Sequence, residues 1–294
     1  MRAVTAPRAA RALLLCALAL PLVIALPAQA AKRSRTGVAS AAHPAALHSN
    51  SVLILDASGK QVLYEKNAEA VVPIASLTKL MTALVVLEAR QDMEEALAVT
   101  DLDVDQVKHA ASRLRVGTVL SRADLLHIAL MSSENRAASA LGRNYPGGTA
   151  AFVAAMNRRA AALGMLHTRY VEPTGLSSEN VSSAQDLAKL LIEAQRQPLI
   201  RRFTTDHEYA IAQGRRSTTY HNSNHLVASP AWDIILQKTG YISEAGRCMI
   251  LLARIDGRPV AMIFLDSQGT LTRFADADRV RNWLTSKTYI AATP

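Results

Sequence analysis

Two sets of strand-patterned residues, one near each end of the chain, enclose a long helix-patterned middle. The first set is 51–56 and 61–65, joined as a hairpin through Ala57-Ser58-Gly59-Lys60. The second is 233–238, 247–255 and 259–265, and Asp256-Gly257 between its last two runs is a strong hairpin signal. Strands so far apart in sequence share one core only by joining a single antiparallel sheet, here of about five strands. The segment of about 90–205 then stands out as an inserted all-helical lobe. The expected fold class is α/β in the broad sense (α+β), a sheet flanked by helices plus that lobe. A cleft between sheet and lobe is the natural place for a site.

Local signals divide the middle. Residues 90–120 are irregular and charged. Ser121-x-x-Asp124 reads as a capping box opening a helix through Met131. Ser132-Ser133-Glu134-Asn135 interrupts it, and 137–142 resumes. Thr149 is placed to cap a helix ending at Gly164, and Ser183 one that runs to about Arg196, where Pro198 stops it. A last amphipathic helix covers about 274–284.

The helix after the first hairpin carries the first chemical signal. Leu77, Leu80, Met81, Leu84, Val85 and Leu87 recur at helical spacing behind Pro73. Ser76 therefore sits in a first turn, where backbone N–H groups are free and the local potential is positive. Lys79 follows one turn later on the same face. A serine and a lysine so placed can act as nucleophile and base once the lysine is made neutral by burial and nearby positive charge. Taken alone the pair reads equally as a capping serine and a solvated lysine.

Two further motifs bear on that choice. Lys238-Thr239-Gly240 ends the strand run 233–238 and offers a cation, a hydroxyl and a position a backbone can approach closely. Ser-x-Asn occurs twice, at Ser133-Glu134-Asn135 and Ser178-Glu179-Asn180. The first lies at a break between helices, where side chains can enter a cleft. The second lies in a polar loop, where Ser and Asn are usually solvated.

Ser-x-x-Lys, Ser-x-Asn and Lys-Thr-Gly, in that order, form the signature of serine penicillin-binding proteins and β-lactamases. The chain resembles the low-molecular-weight D-alanyl-D-alanine peptidases of this group, and within them the endopeptidases. Residues 74–83, 130–138, 172–177 and 238–240 carry the likeness, which extends over about 50–286. It implies a serine β-lactamase/transpeptidase-like fold, with 51–290 as one catalytic domain, and an acyl-enzyme on Ser76. Lys79 is implied as general base and Ser133 as proton relay to the leaving amine. Asn135 would hold the substrate amide, and Lys238, Thr239 and Gly240 would form the wall that binds a substrate carboxylate. The N–H groups of Ser76 and Tyr241 would form the oxyanion hole, although relatives often carry a small hydroxyl residue at the position of Tyr241. Peptidoglycan peptides are the implied substrate and β-lactams the implied covalent inhibitors. The expected reaction is hydrolysis of D-alanyl cross-links in cell wall remodelling. A D,D-carboxypeptidase that removes terminal D-alanine is the near alternative, and a non-catalytic wall-binding module a distant one. No Glu-x-x-Leu-Asn loop of the class A β-lactamase kind is present, so fast antibiotic turnover is not expected.

The N-terminus fits an exported protein. Arg2, Arg8 and Arg11 precede an apolar run from Ala12 to Leu26, and Ala28-Gln29-Ala30 is a small-x-small cleavage signal. Cleavage near Ala30 would give a periplasmic protein without a membrane anchor, with 31–50 as a disordered linker. Three arginines and no acid would be lost, lowering the formal charge from +9 to +6. Scattered basic residues and 4% aromatics speak against nucleic acid. Cys248 would be the only cysteine left, in a run that reads as a buried strand. No cofactor or metal is implied: the eight histidines are scattered, and His225 alone has a suggestive polar setting, read as structural.

Overall fold

A computed structural model describes residue 44 and residues 46–57, 61–106, 108–213 and 216–286. The signal segment, most of the expected linker and turn residues 58–60 lie outside the described residues. In chain order come strands β1 (Ser49–Asp56), β2 (Val62–Lys66) and β3 (Val72–Pro73), a 3₁₀ turn (Ala75–Leu77) and helix α1 (Thr78–Glu88). The lobe adds β4 (Ala96–Ala98), β5 (Val119–Ser121), α2 (Arg122–Met131), α3 (Asn135–Arg143), α4 (Gly148–Ala162), β6 (Val181–Ser182), α5 (Ala184–Ala194) and α6 (Pro198–Thr205). Hairpin β7 (Glu208–Gln213) and β8 (Arg216–His221), strands β9 (Asp233–Ile242), β10 (Gly246–Ile255) and β11 (Arg258–Ser267), and helix α7 (Thr272–Leu284) complete it.

The expected five-stranded antiparallel sheet is present, in the order β2-β1-β11-β10-β9. The first and last thirds of the chain meet where β1 pairs with β11, Leu53 opposite Ile263. Its central strands are buried on both faces, and they therefore read as continuous apolar runs. Leu53, Leu55, Ile263, Leu265, Ile250 and Leu252 join a core with α1, α2 and α5. The alternate residues Val52, Ile54, Met262, Phe264, Met249 and Leu251 pack under α7, against Phe274, Ala277, Val280 and Leu284. Cys248 is fully buried in β10, and burial pushes its thiol up to about 12. Among the described residues no helix is long and apolar enough to cross a membrane.

Several local expectations need correction. Ser49 and Asn50 belong to β1, so the sheet begins inside the segment read as linker. Helix α5 ends before Pro198 as expected, and Pro198 also opens a further helix, α6, in whose first turn its missing N–H is no loss. Thr149 does not cap α4, because Gly147, in the left-handed region at φ 87°, takes that position. The alternation of Tyr209 and Ile211 with Thr218 and Tyr220 forms the hairpin β7–β8, which sequence reasoning missed. Strand β9 does not end at Lys238; it continues through Gly240 to Ile242, with Thr239 opposite Met249. Residues 90–120 contain one ordered pairing, β4 with β5. The expected caps at Ser121 and Ser183 are present, each hydroxyl accepting from the N–H three residues on.

Candidate active site

Pro73 ends a two-residue strand and Ala75 takes the left-handed conformation, φ 48°, so the chain turns sharply before α1. Ser76 lies in the resulting 3₁₀ turn and Lys79 in the first turn of α1. The Lys79 Nζ donates to Ser76 Oγ at 2.8 Å, to Asn135 Oδ1 at 2.8 Å and to the carbonyl of Thr174 at 2.6 Å. Lys79 is fully buried. Burial lowers its pKa to about 8 despite the opposing pull of Glu172 and Glu134. The solvated-lysine reading is thereby excluded.

Asn135 reaches Lys79 from the N-terminus of α3, across the break between α2 and α3. Ser133 occupies that break in the left-handed region, φ 65°. Both line a cavity of about 320 Å³ with Ser132, Glu134, Arg113 and Tyr220. Among the described residues it is Asn135, and not Ser133, that bonds Lys79.

The second Ser-x-Asn has a different part. Asn180 is not solvated but fully buried. Its Oδ1 accepts from the N–H groups of Val171 and Glu172, and its Nδ2 donates to Thr78 Oγ1 and to Glu172. It ties the loop 172–177 to α1. Glu172 in turn accepts from Thr174 N, Thr174 Oγ1 and Gly175 N, all at 2.6 Å. This network holds the Thr174 carbonyl against Lys79. The sequence segment was legible, but the role of Thr174 was not, because a backbone carbonyl leaves no residue-type signal.

Strand β9 forms the opposite wall. A Cβ on Gly240 would lie 3.0 Å from Ser76 N and 3.1 Å from Ala75 Cβ, so a glycine here lets the strand approach the nucleophile turn. Lys238 is fully buried and donates to the Thr239 carbonyl at 2.9 Å. Burial first, then Lys79 and Arg273, hold it well below the usual lysine range. The Thr239 hydroxyl shares a 2.7 Å hydrogen bond with Ser223. Tyr241, the next residue of the strand, is exposed.

Two more residues escaped the sequence reading. Ser223 is fixed by its N–H bond to the Met131 carbonyl and joins α2 to β9 through Thr239. Arg273 comes from α7, with its Nε buried and without a hydrogen-bond partner among the described residues. Burial first, and then the nearby Arg247, lower its pKa to about 10. In the sequence it stands just before the expected last helix, with no signal of its own. His225 packs edge-on against Phe274, ring centres 4.2 Å apart. A second cavity, about 410 Å³, opens from Asn135 and Thr174 and is walled by Leu176, Ser177, Asp105 and Lys108. Lys108 pairs with Glu244, in the turn after β9.

Comparison with known proteins gives consistent likenesses. A family profile described as D-alanyl-D-alanine carboxypeptidase matches residues 38–269. The chain is 48% identical to the D-alanyl-D-alanine endopeptidase of Pseudomonas aeruginosa over 240 residues, which is 81% of this chain and 77% of that one. It is 43% identical to the D-alanyl-D-alanine endopeptidase of Escherichia coli over 267 residues, 90% of this chain and 86% of the relative. The crystal structure of the Streptomyces K15 DD-transpeptidase superposes with a TM-score of 0.77 at 26% identity, covering 82% of this chain and 98% of its own.

Proposed function

Because the chain belongs to the D-alanyl-D-alanine carboxypeptidase family, we propose that it is a serine D,D-endopeptidase that hydrolyses D-alanyl cross-links in peptidoglycan. The observation that carries the reading is the buried Lys79 amine, 2.8 Å from Ser76 Oγ and lowered to about 8. The high identity to relatives named endopeptidases supports the choice of substrate.

The residues act in sequence. Neutral Lys79 takes the Ser76 proton as Oγ attacks the D-alanyl carbonyl. The N–H groups of Ser76 and Tyr241 stabilise the oxyanion. The tetrahedral centre collapses, the C–N bond breaks, and the proton reaches the leaving amine from Lys79 through Ser133. Asn135 holds Lys79 through Oδ1 and keeps its Nδ2 for the substrate amide. Lys238 and Thr239 bind the carboxylate of the leaving residue. Water then attacks the ester, giving its proton to Lys79, and Lys79 returns a proton to Ser76 Oγ as the acyl C–O bond breaks. A β-lactam enters by the same first step and remains as an adduct. The catalytic unit spans about 51–290, and the protein works in the periplasm after signal removal near Ala30.

Intact-mass spectrometry with a penicillin, followed by peptide mapping, tests the chemistry. A stable adduct on Ser76, absent in Ser76→Ala, is expected; an adduct elsewhere overturns the assignment. A release assay on purified cross-linked muropeptide tests the substrate. Free D-alanine without loss of dimers would favour the second reading, a D,D-carboxypeptidase, to which the family's own description points.

A further inference from the structure

Side chains along β9 alternate between its two faces. Gly240 faces the Ser76 turn, and Lys238 shares that face. Thr239 and Tyr241 therefore share the other, about 7 Å apart along the strand. On β10, Arg247 stands directly opposite Tyr241 in the register. Its guanidinium lies over the Tyr241 ring, 4.3 Å from the centroid, while the tyrosine remains 55% exposed.

Arg247 makes no salt bridge among the described residues. Asp266 lies next to Gly246, yet its oxygens accept from Asn50 and Gln268 instead. A second cation, Arg273, also lies near Arg247, and its Nε has no hydrogen-bond partner among the described residues. Arg247 and Arg273 thus stand near each other beside the end of β9, and neither makes a salt bridge among the described residues. Like charges so placed repel, and an anionic ligand relieves the repulsion. Lys238 and Thr239 account for one carboxylate. Arg247 is left over, stacked on an aromatic platform that presents its planar fork for bidentate binding.

We propose that Tyr241 and Arg247 form a specificity subsite on the leaving side of the scissile bond, binding a second carboxylate of a cross-linked peptide. The inference rests on the peptidase reading above. A terminal D-alanine has one carboxylate, which Lys238 and Thr239 take, and beyond it only a methyl group. The amine freed from a cross-link belongs to a diamino acid of a second peptide, which carries further carboxylates. Arg247 therefore contributes to cleavage of cross-links and contributes little to removal of a terminal residue.

The test compares wild type with Arg247→Ala and Arg247→Gln on three reactions: a purified cross-linked muropeptide dimer, a peptide ending in D-Ala-D-Ala, and acylation by penicillin. On the dimer, kcat/KM should fall about tenfold or more through KM, the size of a lost charge-assisted hydrogen-bonded contact. The terminal peptide and acylation should stay within about threefold, as expected for a residue outside the reacting atoms. Tyr241→Phe should keep the preference for dimers and Tyr241→Ser should reduce it. An equal loss on both peptides, or no loss on the dimer, overturns the inference while leaving the peptidase reading intact. Wild type that releases terminal D-alanine but leaves dimers whole overturns the endopeptidase reading and the inference with it. Failure of wild type to acylate overturns the serine mechanism itself.

Discussion

Lys79 shows how one residue can be prepared for a task its free form cannot perform. All three protons of its ammonium are used, on Ser76, Asn135 and Thr174. The charged form is hydrogen-bonded, yet burial still wins and brings the pKa to about 8. At pH 7 a minority of the molecules carry the neutral amine that can accept a proton. The sign follows directly: only the deprotonated form is a base, so acylation by penicillin should rise with pH through about 8 and level above it. A flat rate profile between pH 6 and about 9 would remove Lys79 from the base role. Lys79→Arg keeps the charge but not a proton-accepting amine, and should slow acylation by about 10²–10⁴-fold in stopped-flow measurements.

At the scale of elements, short connections position the site. The loop 172–177 passes so close to the nucleophile turn that a Cβ on Gly175 would lie 2.0 Å from the Ala75 carbonyl oxygen. Its φ of 84° independently favours glycine. Gly175→Ala should cost more than about 3 kcal/mol by urea unfolding and should lower acylation as well, because the carbonyl of Thr174 moves with the loop. A neutral substitution would show that the loop is free to shift. The end of α6 is held by Asn222, whose Nδ2 donates to the carbonyls of Thr204 and Asp206, and by Gln237, which donates to Thr204. The next residue, Ser223, bonds Thr239. Asn222→Ala should therefore destabilise by about 1–3 kcal/mol and raise KM for the peptide substrate; stability loss with unchanged KM would uncouple this support from the Thr239 wall.

For the molecule as a whole, the sheet is shared by two cores. Phe264 and Met262 face α7, while Ile263 and Leu265 face α1 and α5, one residue apart on the same strand. Damage on the α7 side is therefore felt in both cores, and only through β10 by β9, the strand that borders the site. Phe264→Ala should cost about 3–5 kcal/mol. Loss of penicillin binding and loss of far-ultraviolet dichroism should then follow one transition on heating. Two separated transitions would show that the α7 face unfolds by itself.

What the sequence by itself determined is what local patterning encodes. Paired apolar runs and Asp256-Gly257 specified a sheet drawn from both ends of the chain, because continuous apolar patterning and turn chemistry are local. Helical spacing behind Pro73 put Ser76 and Lys79 in one turn, and three short motifs in order identified the family. The limits of β9 were not local: strand pairing with β10 and the fit of Gly240 against Ser76 carry it on to Ile242. Only the tertiary structure decided that Lys79 is buried, that the Thr174 carbonyl holds it and that Asn180 is a core residue. It also brought Ser223 and Arg273 to the Lys238 wall and left Arg247 without a salt bridge among the described residues. Each of these is a long-range effect. Burial, desolvation and the meeting of charges depend on which distant segments pack together, and no window of neighbouring residues contains that information.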